Sequence, residues 1–355
     1  MNNVKFWSIG VLVITLCLLL SSAILTGYID PFFHYHEPQD SLEYPLNNQR
    51  YQNDGIVKHF SYDAIITGTS LSENFKPSEF DALFGVNSIK VSFSGGTFNE
   101  ILDNLKQALE ANPHIRYVLF SIDEWFIYDE KSLIQADGEY PTYLYDRNPF
   151  NDTNYLLNKD VFFNRTLQVL EYTAQGYQTT SFDDYSSWSF DTGLQAILPK
   201  YDRPEKTYNQ TEQSAQHVRQ LEKNLRQSLL WMAEEYPNTQ FICFFPPYSI
   251  LNWDSHMQKG TIVRNVQALK QTTELLLEAD NIQIFSFYTD YDLCTNLNLY
   301  NDQVHYNAQT NSLLLKRMHD GEFQLTKENY EAHWQEVLNF YLNYPYDSIF
   351  DRIAP

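Results

Sequence analysis

The chain has 355 residues, of which 43% are hydrophobic and 19% are charged, so it is long enough to bury a full α/β core. Its 24 Lys and Arg residues stand against 45 Asp and Glu residues, which gives a formal net charge of -21. This charge repels polyanions at long range, so it excludes nucleic acid as a partner and argues against capture of an anionic polymer except in a local basic pocket.

The three cysteines permit at most one internal disulfide, because Cys17 lies in an apolar leader. A bridge between Cys243 and Cys294 stays open, although the strand-like run around Cys243 is typical of a buried free thiol. No spacing of Cys or His residues indicates a metal site, and no motif indicates a cofactor.

The leader itself, residues 6–29 (FWSIGVLVITLCLLLSSAILTGYI), has no charge and is long enough to cross a hydrocarbon layer as one helix. Lys5 precedes it and acidic residues follow it, so the positive-inside rule places the rest of the chain outside the cytoplasm. We therefore expect residues 1–29 to be a single-pass membrane anchor. The alternative is a signal peptide cleaved near Ala23, which would make the protein secreted.

Residues 30–60 contain Pro31, Pro38 and Pro45 and are predicted to be a connector without regular elements. His34 and His36 alternate with a tyrosine there. Because no third ligand lies nearby in the sequence, a surface role is favoured over a metal pair.

From residue 61 onward, short apolar runs alternate with helical patterns, which predicts a parallel sheet with right-handed crossovers. The predicted strands are 64–67, 88–93, 117–122, 241–245 and 282–287, and the predicted helices are 77–84, 98–109, 211–235, 261–278, one starting near 307 and one around 330–341.

Residues 126–210 interrupt this alternation of strands and helices. They are predicted to be an insertion at the carboxyl edge of the sheet, with only 155–174 helical. Its aromatic side chains are expected mainly to pack the insertion's own small core, with stacking on sugar rings as the alternative. They include Tyr140, Tyr143, Tyr145, Tyr185 and Trp188.

One strand-like run ends abruptly in Gly68-Thr69-Ser70. A serine hydroxyl becomes a nucleophile only when a base takes its proton, and Asp302 and His305, three residues apart, offer such a base with a carboxylate to orient it. Each residue also has a local explanation: Ser70 and its downstream Glu fit a helix-capping box, Asp302 an Asx turn and His305 a loop histidine. Their joint occurrence favours Ser70 as nucleophile, His305 as general base and acid, and Asp302 as the orienting group.

Attack on a carbonyl creates an oxyanion that needs preorganised donors. The backbone amide of Ser70, or of the residue after it, and that of Gly95 or Gly96 are the predicted donors, since glycine admits close approach of a substrate. A tight turn feeding a helix explains the two glycines equally well.

A Gly-x-Ser turn after the first strand, a glycine element after the second and an Asp-x-x-His near the carboxyl end together resemble the SGNH (GDSL-type) hydrolase superfamily. The resemblance covers roughly residues 61–125 and 211–320. With its membrane segment, the chain resembles the cell-envelope branch that includes the D-alanine transfer protein of teichoic acid synthesis and the alginate O-acetylation proteins. This implies a three-layer, flavodoxin-like α/β fold with a five-stranded, mostly parallel sheet, over residues 61–355.

The chain departs from the superfamily at its third block, where an asparagine normally follows the third strand and this sequence has Asp123. An anionic Asp123 would oppose an oxyanion unless its carboxylate points away. Asn74 and Asn99 are the possible substitutes for the missing donor.

The resemblance implies a serine acyl-esterase or O-acyltransferase that acts on cell-envelope glycans, or on a teichoic acid-like acceptor, through an acyl-Ser70 intermediate. It also implies a membrane-bound O-acyltransferase as the partner that supplies the acyl group. The alternatives are a non-catalytic envelope assembly or glycan-binding protein on the same fold and, more weakly, a secreted lipase-like esterase.

Overall fold

The computed structural model describes residues 2–128, 141–146, 148–207 and 209–351. The strands are β1 (Ala64–Gly68), β2 (Ser88–Ser92), β3 (Tyr117–Ser121), β4 (Gln240–Phe245), β5 (Ile282–Ser286) and β6 (Gln324–Leu325). The α-helical segments are α1 (Asn2–Ile29), α2 (Gln49–His59), α3 (Pro77–Phe84), α4 (Phe98–Ala111), α5 (Glu124–Tyr128), α6 (Thr153–Leu156), α7 (Lys159–Val161), α8 (Leu167–Ala174), α9 (Leu194–Ile197), α10 (Ala215–Arg226), α11 (Leu229–Glu235), α12 (Ile250–Gln258), α13 (Ile262–Leu276), α14 (Tyr291–Cys294), α15 (Ala308–His319), α16 (Tyr330–Asn343) and α17 (Asp347–Asp351).

The chain divides into two compact units. The first, which we call the N-terminal unit, joins Met1–Ser61 to Gln135–Ser186. The second, the sheet unit, joins Tyr62–Ile134 to Ser187–Pro355. The segment predicted as one insertion, 126–210, is therefore shared between the two units, and its last part from Ser187 onward belongs with the sheet.

The sheet unit is α/β and contains a six-stranded mixed sheet in the order β2-β1-β3-β4-β5-β6. Strands β1 to β5 are parallel to their neighbours, and β6 runs antiparallel to β5. Nearly continuous apolar runs such as QFICFF in β4 are typical of parallel strands that are covered on both faces. The strand order reverses between β1 and β3, and in open α/β sheets such a reversal opens a crevice at the carboxyl ends of the strands.

The five parallel strands lie where the sequence predicts them, to within about a residue. The expected five-stranded sheet is corrected to six strands, because the two-residue edge strand β6 is too short to leave a periodic pattern.

Most predicted helices are also confirmed. Helix α3 begins at Pro77 and is closed by Gly85 in the left-handed conformation (φ 65°), and Asn307 caps α15 by accepting from the Thr310 amide. The single helix predicted over 211–235 is wrong: Ser214 caps α10, and the non-helical backbone of Ser228 separates α10 from α11. Helix α12 was missed because the prediction stopped at the two prolines that follow β4.

In the N-terminal unit, α1 contains one apolar span, Val4–Ile29, with a mean hydropathy of 2.5. It is long and apolar enough to cross a membrane, and a signal sequence at this position would have the same length and composition.

The prediction that residues 30–60 lack regular structure is wrong, because α2 occupies Gln49–His59. Only a glycine fits at position 55 in this helix, since a Cβ there would collide with the carbonyl oxygens of Phe32 and Phe33. The upstream histidines lie in a turn around buried Asp30, whose carboxylate accepts from the backbone amides of His34 and His36 at 3.0 and 3.1 Å.

The insertion's tyrosines pack inside the N-terminal unit, but the core that they enter is not the insertion's own, because residues from 30–60 contribute to it. Tyr143 and Tyr145 lie against a small buried cluster that includes Phe32 and Tyr155, and buried Tyr185 donates to Asn53 at 2.7 Å. Tyr140 lies outside the described residues. In the sheet unit both Cys243 and Cys294 are free and buried, and burial raises the pKa of each thiol to about 12.

Candidate active site

The structure brings Ser70, His305 and Asp302 together in the sheet unit. Ser70 Oγ lies 2.7 Å from His305 Nε2, and His305 Nδ1 lies 2.7 Å from Asp302 Oδ2. Both distances are those of a hydrogen bond along which a proton can move. Ser70 and His305 lie 235 residues apart in the sequence, yet together with Asp302 they form one continuous chain of hydrogen bonds.

The end of β1 explains why Ser70 is presented to the histidine. Gly68 has φ 144°, and a Cβ there would collide with the Ser121 side chain, so both the backbone and the space require glycine. Thr69 then caps the 3₁₀ turn Ser70–Ser72, with its hydroxyl accepting from the Leu71 amide at 3.4 Å. The capping interpretation of Ser70 is thus wrong, because the preceding threonine is the cap.

The turn after Ser70 is held by side chains from distant elements. Fully buried Lys90, on β2, donates from Nζ to the carbonyl oxygens of Glu73 and Phe75, at 2.5 and 3.1 Å. Asn311, on α15, donates to the Leu71 carbonyl at 2.9 Å. Neither residue is among those predicted from the sequence, although a lysine inside the apolar strand SIKVS is an unusual feature that marks Lys90.

On the histidine side, Asp302 does two things at once. Its Oδ1 accepts from the backbone amides of Val304 and His305, each at 2.9 Å, while its Oδ2 holds the His305 ring. The Asx turn and the orienting role are therefore compatible. Partial burial raises the pKa of Asp302, but the hydrogen bonds and the charge of His305 outweigh that effect and bring the pKa below its usual value.

Trp188 forms one wall of this site. Its ring meets the His305 ring edge to face, with centroids 5.5 Å apart, and its indole N–H donates to the Ser70 carbonyl at 3.3 Å. The Trp188 ring also stacks on Phe190 at 5.0 Å, and Phe190 is 59% exposed. The sequence analysis named Trp188 only among the aromatics of the insertion, and it missed Phe190.

The segment that carries these rings is fastened to the histidine loop. Asn301 donates to the Asp191 carbonyl at 2.6 Å, and the Gly193 amide donates to the Tyr300 carbonyl at 2.9 Å. The aromatic wall and His305 are therefore positioned by the same loop.

Asp123 lies just past β3 and is 2% exposed. Its two carboxylate oxygens accept from the hydroxyls of Thr69 at 2.6 Å and Tyr248 at 2.8 Å. Burial raises the pKa of Asp123 to about 6, against the lowering effects of these two hydrogen bonds and of the charge of His305. Since both oxygens are engaged by hydroxyls, the carboxylate is directed at Thr69 and Tyr248.

The predicted oxyanion donors differ in whether their backbone amides already make a hydrogen bond within the protein. The Gly96 amide donates to the Phe93 carbonyl at 2.9 Å, so in this conformation the turn uses that donor. Gly95 is exposed and has φ 60°, the left-handed conformation of that turn. The Ser70 amide stays a predicted donor.

Of the two substitute asparagines, Asn74 lies beside the Ser70 turn. Its Oδ1 accepts from the Trp188 amide at 3.0 Å, and its Nδ2 is buried without a hydrogen-bond partner in the described part of the chain. Asn99 instead lines a surface cavity with Lys106 and Trp231.

Among the residues that the structure describes, no group of three or more His, Cys, Asp or Glu side chains could hold a metal ion. The chemistry that the arrangement supports is proton transfer and nucleophilic attack by protein groups.

Comparison with known proteins adds little. No family model matches the sequence, and no curated protein matches it. One solved structure, described as "The structure of a putative platelet activating factor from Streptococcus pneumonia", is similar with a TM-score of 0.39 and 12% identity, over 77% of this chain and 90% of that chain. This likeness is too weak to assign a fold family or a function.

Proposed function

We propose that this protein is a serine-dependent acyl-transfer enzyme of the SGNH type, anchored in the membrane and acting on cell-envelope glycans. The observation that carries the proposal is the hydrogen-bonded chain from Ser70 Oγ through the His305 ring to Asp302. The order of the five parallel strands, 2-1-3-4-5, supports a flavodoxin-like core, in which ligands bind where the order reverses. Ser70 follows β1, which borders that reversal.

In the proposed reaction, Ser70 Oγ attacks the carbonyl carbon of an ester or thioester while His305 Nε2 takes the hydroxyl proton. The carbonyl oxygen becomes an oxyanion, and Asp302 stabilises the imidazolium. When the tetrahedral intermediate collapses, the bond to the leaving group breaks and His305 returns the proton to that group. Water or a sugar hydroxyl then attacks acyl-Ser70 by the same steps in reverse, which gives hydrolysis or transfer.

The acceptor is proposed to be a cell-envelope glycan, because Phe190 offers an exposed ring face that is stacked on the aromatic wall of the site. A net charge of -21 favours an uncharged sugar over an anionic, teichoic acid-like polymer. Retention of the apolar span as an anchor would keep the enzyme beside a membrane-bound O-acyltransferase that supplies the acyl group. If Phe190 binds the sugar, Phe190→Ala should raise the KM for the glycan several-fold and leave labelling of Ser70 by a small probe unchanged; equal KM values would contradict this.

A second candidate is a non-catalytic glycan-binding protein on the same fold. The observation that favours it is the Gly96 amide, which donates to Phe93 and so is withdrawn from an oxyanion.

A fluorophosphonate probe separates the two candidates. It reacts with a serine only if a base activates the hydroxyl, with formation of the Ser70 Oγ–P bond and loss of fluoride. We expect labelling of the full chain that is abolished by Ser70→Ala and His305→Ala and retained by His114→Ala, which removes an exposed histidine. No labelling of the wild-type chain, with glycan binding intact, would support the binding protein instead.

A further inference from the structure

Asp123 is connected to the residue that precedes the proposed nucleophile. The Thr69 hydroxyl, one residue before Ser70, donates to Asp123 Oδ2 at 2.6 Å, and the Tyr248 hydroxyl donates to Asp123 Oδ1 at 2.8 Å. The Thr69 distance is in the range of short hydrogen bonds to an ionised oxygen, and the Tyr248 distance is that of an ordinary O–H···O hydrogen bond. The carboxylate therefore joins the ends of β1, β3 and β4 at the site.

The direction of these hydrogen bonds requires an acceptor at Asp123. The Thr69 hydroxyl also accepts from the Leu71 amide at 3.4 Å, and the Tyr248 hydroxyl also accepts from the Glu124 amide at 3.3 Å. An ionised carboxylate can only accept, so each hydroxyl directs its single proton at Asp123 and uses a lone pair to accept from the backbone amide. A protonated Asp123 would have to break or reverse one of the two bonds, so the arrangement fits the anion.

Among the described residues, the titratable groups that face Asp123 include His305, Glu124, Tyr306 and Tyr248. The positive charge of His305 lowers the pKa of Asp123, whereas the negative charge of Glu124 raises it. Burial, followed by the charge of Asp123, raises the pKa of Tyr306, and Tyr248 is shifted in the same direction by burial and then by Asp123. Across the site, His305 also faces Asp302. His305 therefore interacts with the charges of two carboxylates, Asp123 and Asp302.

We propose that Asp123 is a positioning residue whose ionised carboxylate holds the Thr69–Ser70 turn and supplies a second negative charge to the imidazolium that forms on His305. The inference rests on the proposed function, because it concerns the same Ser70–His305 pair. Its consequence is that reaction at Ser70 requires two groups to be deprotonated, the base His305 and the positioning residue Asp123. Since burial raises the pKa of Asp123 to about 6, this requirement falls within an accessible pH range.

The test is the rate constant for fluorophosphonate labelling of the detergent-solubilised full chain, measured from about pH 4.5 to 8. In the wild-type protein the logarithm of the rate should fall on acidification with a slope approaching two. Asp123→Asn should reduce the rate above pH 7 by about 100-fold, because the turn is less well placed, and should leave a slope of about one. If Asp123 had a purely structural role, Asp123→Asn would lower the labelling rate without changing the slope of its pH dependence.

Two variants of Thr69 separate its hydroxyl from its size. Thr69→Ser keeps the donor and should retain a rate near that of the wild-type chain with the steeper slope, whereas Thr69→Val should lower the rate. An unchanged slope in Asp123→Asn, with Ser70 still labelled, would overturn the role of Asp123 alone. Absence of labelling in the wild-type chain would instead overturn the proposed function, and this inference with it.

Discussion

The carboxyl ends of β1 and β2 carry nearly the same short pattern, a hydroxyl residue followed three positions later by glutamate. At Thr97 and Glu100 the pattern is a complete capping box, since the Thr97 hydroxyl accepts from the Glu100 amide at 3.2 Å and the Glu100 carboxylate accepts from the Thr97 amide at 3.3 Å. At Ser70 the hydroxyl contacts His305 instead. The difference comes from the preceding residue, because Thr69 caps the turn and leaves the next hydroxyl available for chemistry.

Replacing each of these two hydroxyl residues by alanine should have opposite effects on labelling and on stability. Ser70→Ala should abolish fluorophosphonate labelling and leave the free energy of unfolding nearly unchanged, because among the described residues its hydroxyl contacts His305 and satisfies no backbone donor. Thr97→Ala should retain labelling and cost about 1 kcal/mol of stability, the usual effect of losing a helix cap. Labelling rates and urea unfolding of the two variants provide the measurements. A Ser70→Ala variant that was destabilised as much as Thr97→Ala would mean that Ser70 is a cap after all.

Substitution of Gly68 and of Gly95 is also expected to affect the two turns differently. Gly68→Ala should cost about 2 to 3 kcal/mol and slow labelling of Ser70 by about 100-fold, because a Cβ would collide with Ser121 and displace the turn. Gly95→Ala should cost about 1 to 2 kcal/mol, since an alanine at φ 60° is strained and the residue is exposed. Equal effects of the two substitutions on labelling would show that the β2 turn is as close to the chemistry as the β1 turn.

Much of this fold could be predicted because its strands are almost uninterrupted apolar runs, such as AIITG in β1, and the ends of parallel strands meet at one edge. Ser70 and His305, 235 residues apart, were paired instead by the joint occurrence of a serine turn and an Asp-x-x-His. Helix α2 was missed because its sequence, QRYQNDGIVKH, has little apolar periodicity, so tertiary contacts determine its conformation.

The supporting residues of the site could not be predicted in the same way. Lys90 is an unusual residue within the apolar strand SIKVS, but only the folded contacts show that its ammonium group holds the turn after Ser70. Asp123 was interpreted as an obstacle to an oxyanion, because the sequence does not show that Thr69 and Tyr248 would occupy its oxygens. Such roles depend on hydrogen-bond directions across several elements, which leave no local pattern.

The turn at the end of β3 differs from the turns after β1 and β2, because it places a titratable carboxyl group, that of Asp123, in the interior. The pKa of Asp123 is raised from 3.8 to about 6 in the folded protein, so between these pH values the folded chain binds more protons than the unfolded chain. Stability is therefore lost as the pH rises through this range, by about 3 kcal/mol for a shift of this size.

Asp123→Asn removes this titration, and its free energy of unfolding relative to the wild-type protein should increase by up to about 3 kcal/mol between pH 4 and pH 8. The side-chain amide that this substitution creates cannot accept from both hydroxyls as the carboxylate does, so the variant also loses a constant amount of stability. This loss is the same at every pH and therefore does not change the expected increase of the difference with pH. Urea unfolding at a series of pH values measures the difference, and Thr97→Ala, whose lost group does not titrate, should show a flat one. A flat difference for Asp123→Asn would mean that the carboxylate is ionised with equal ease in the folded and unfolded chains. A rise would mean that the folded protein keeps a destabilising charge beside Ser70, which is expected if that charge serves the reaction rather than the fold.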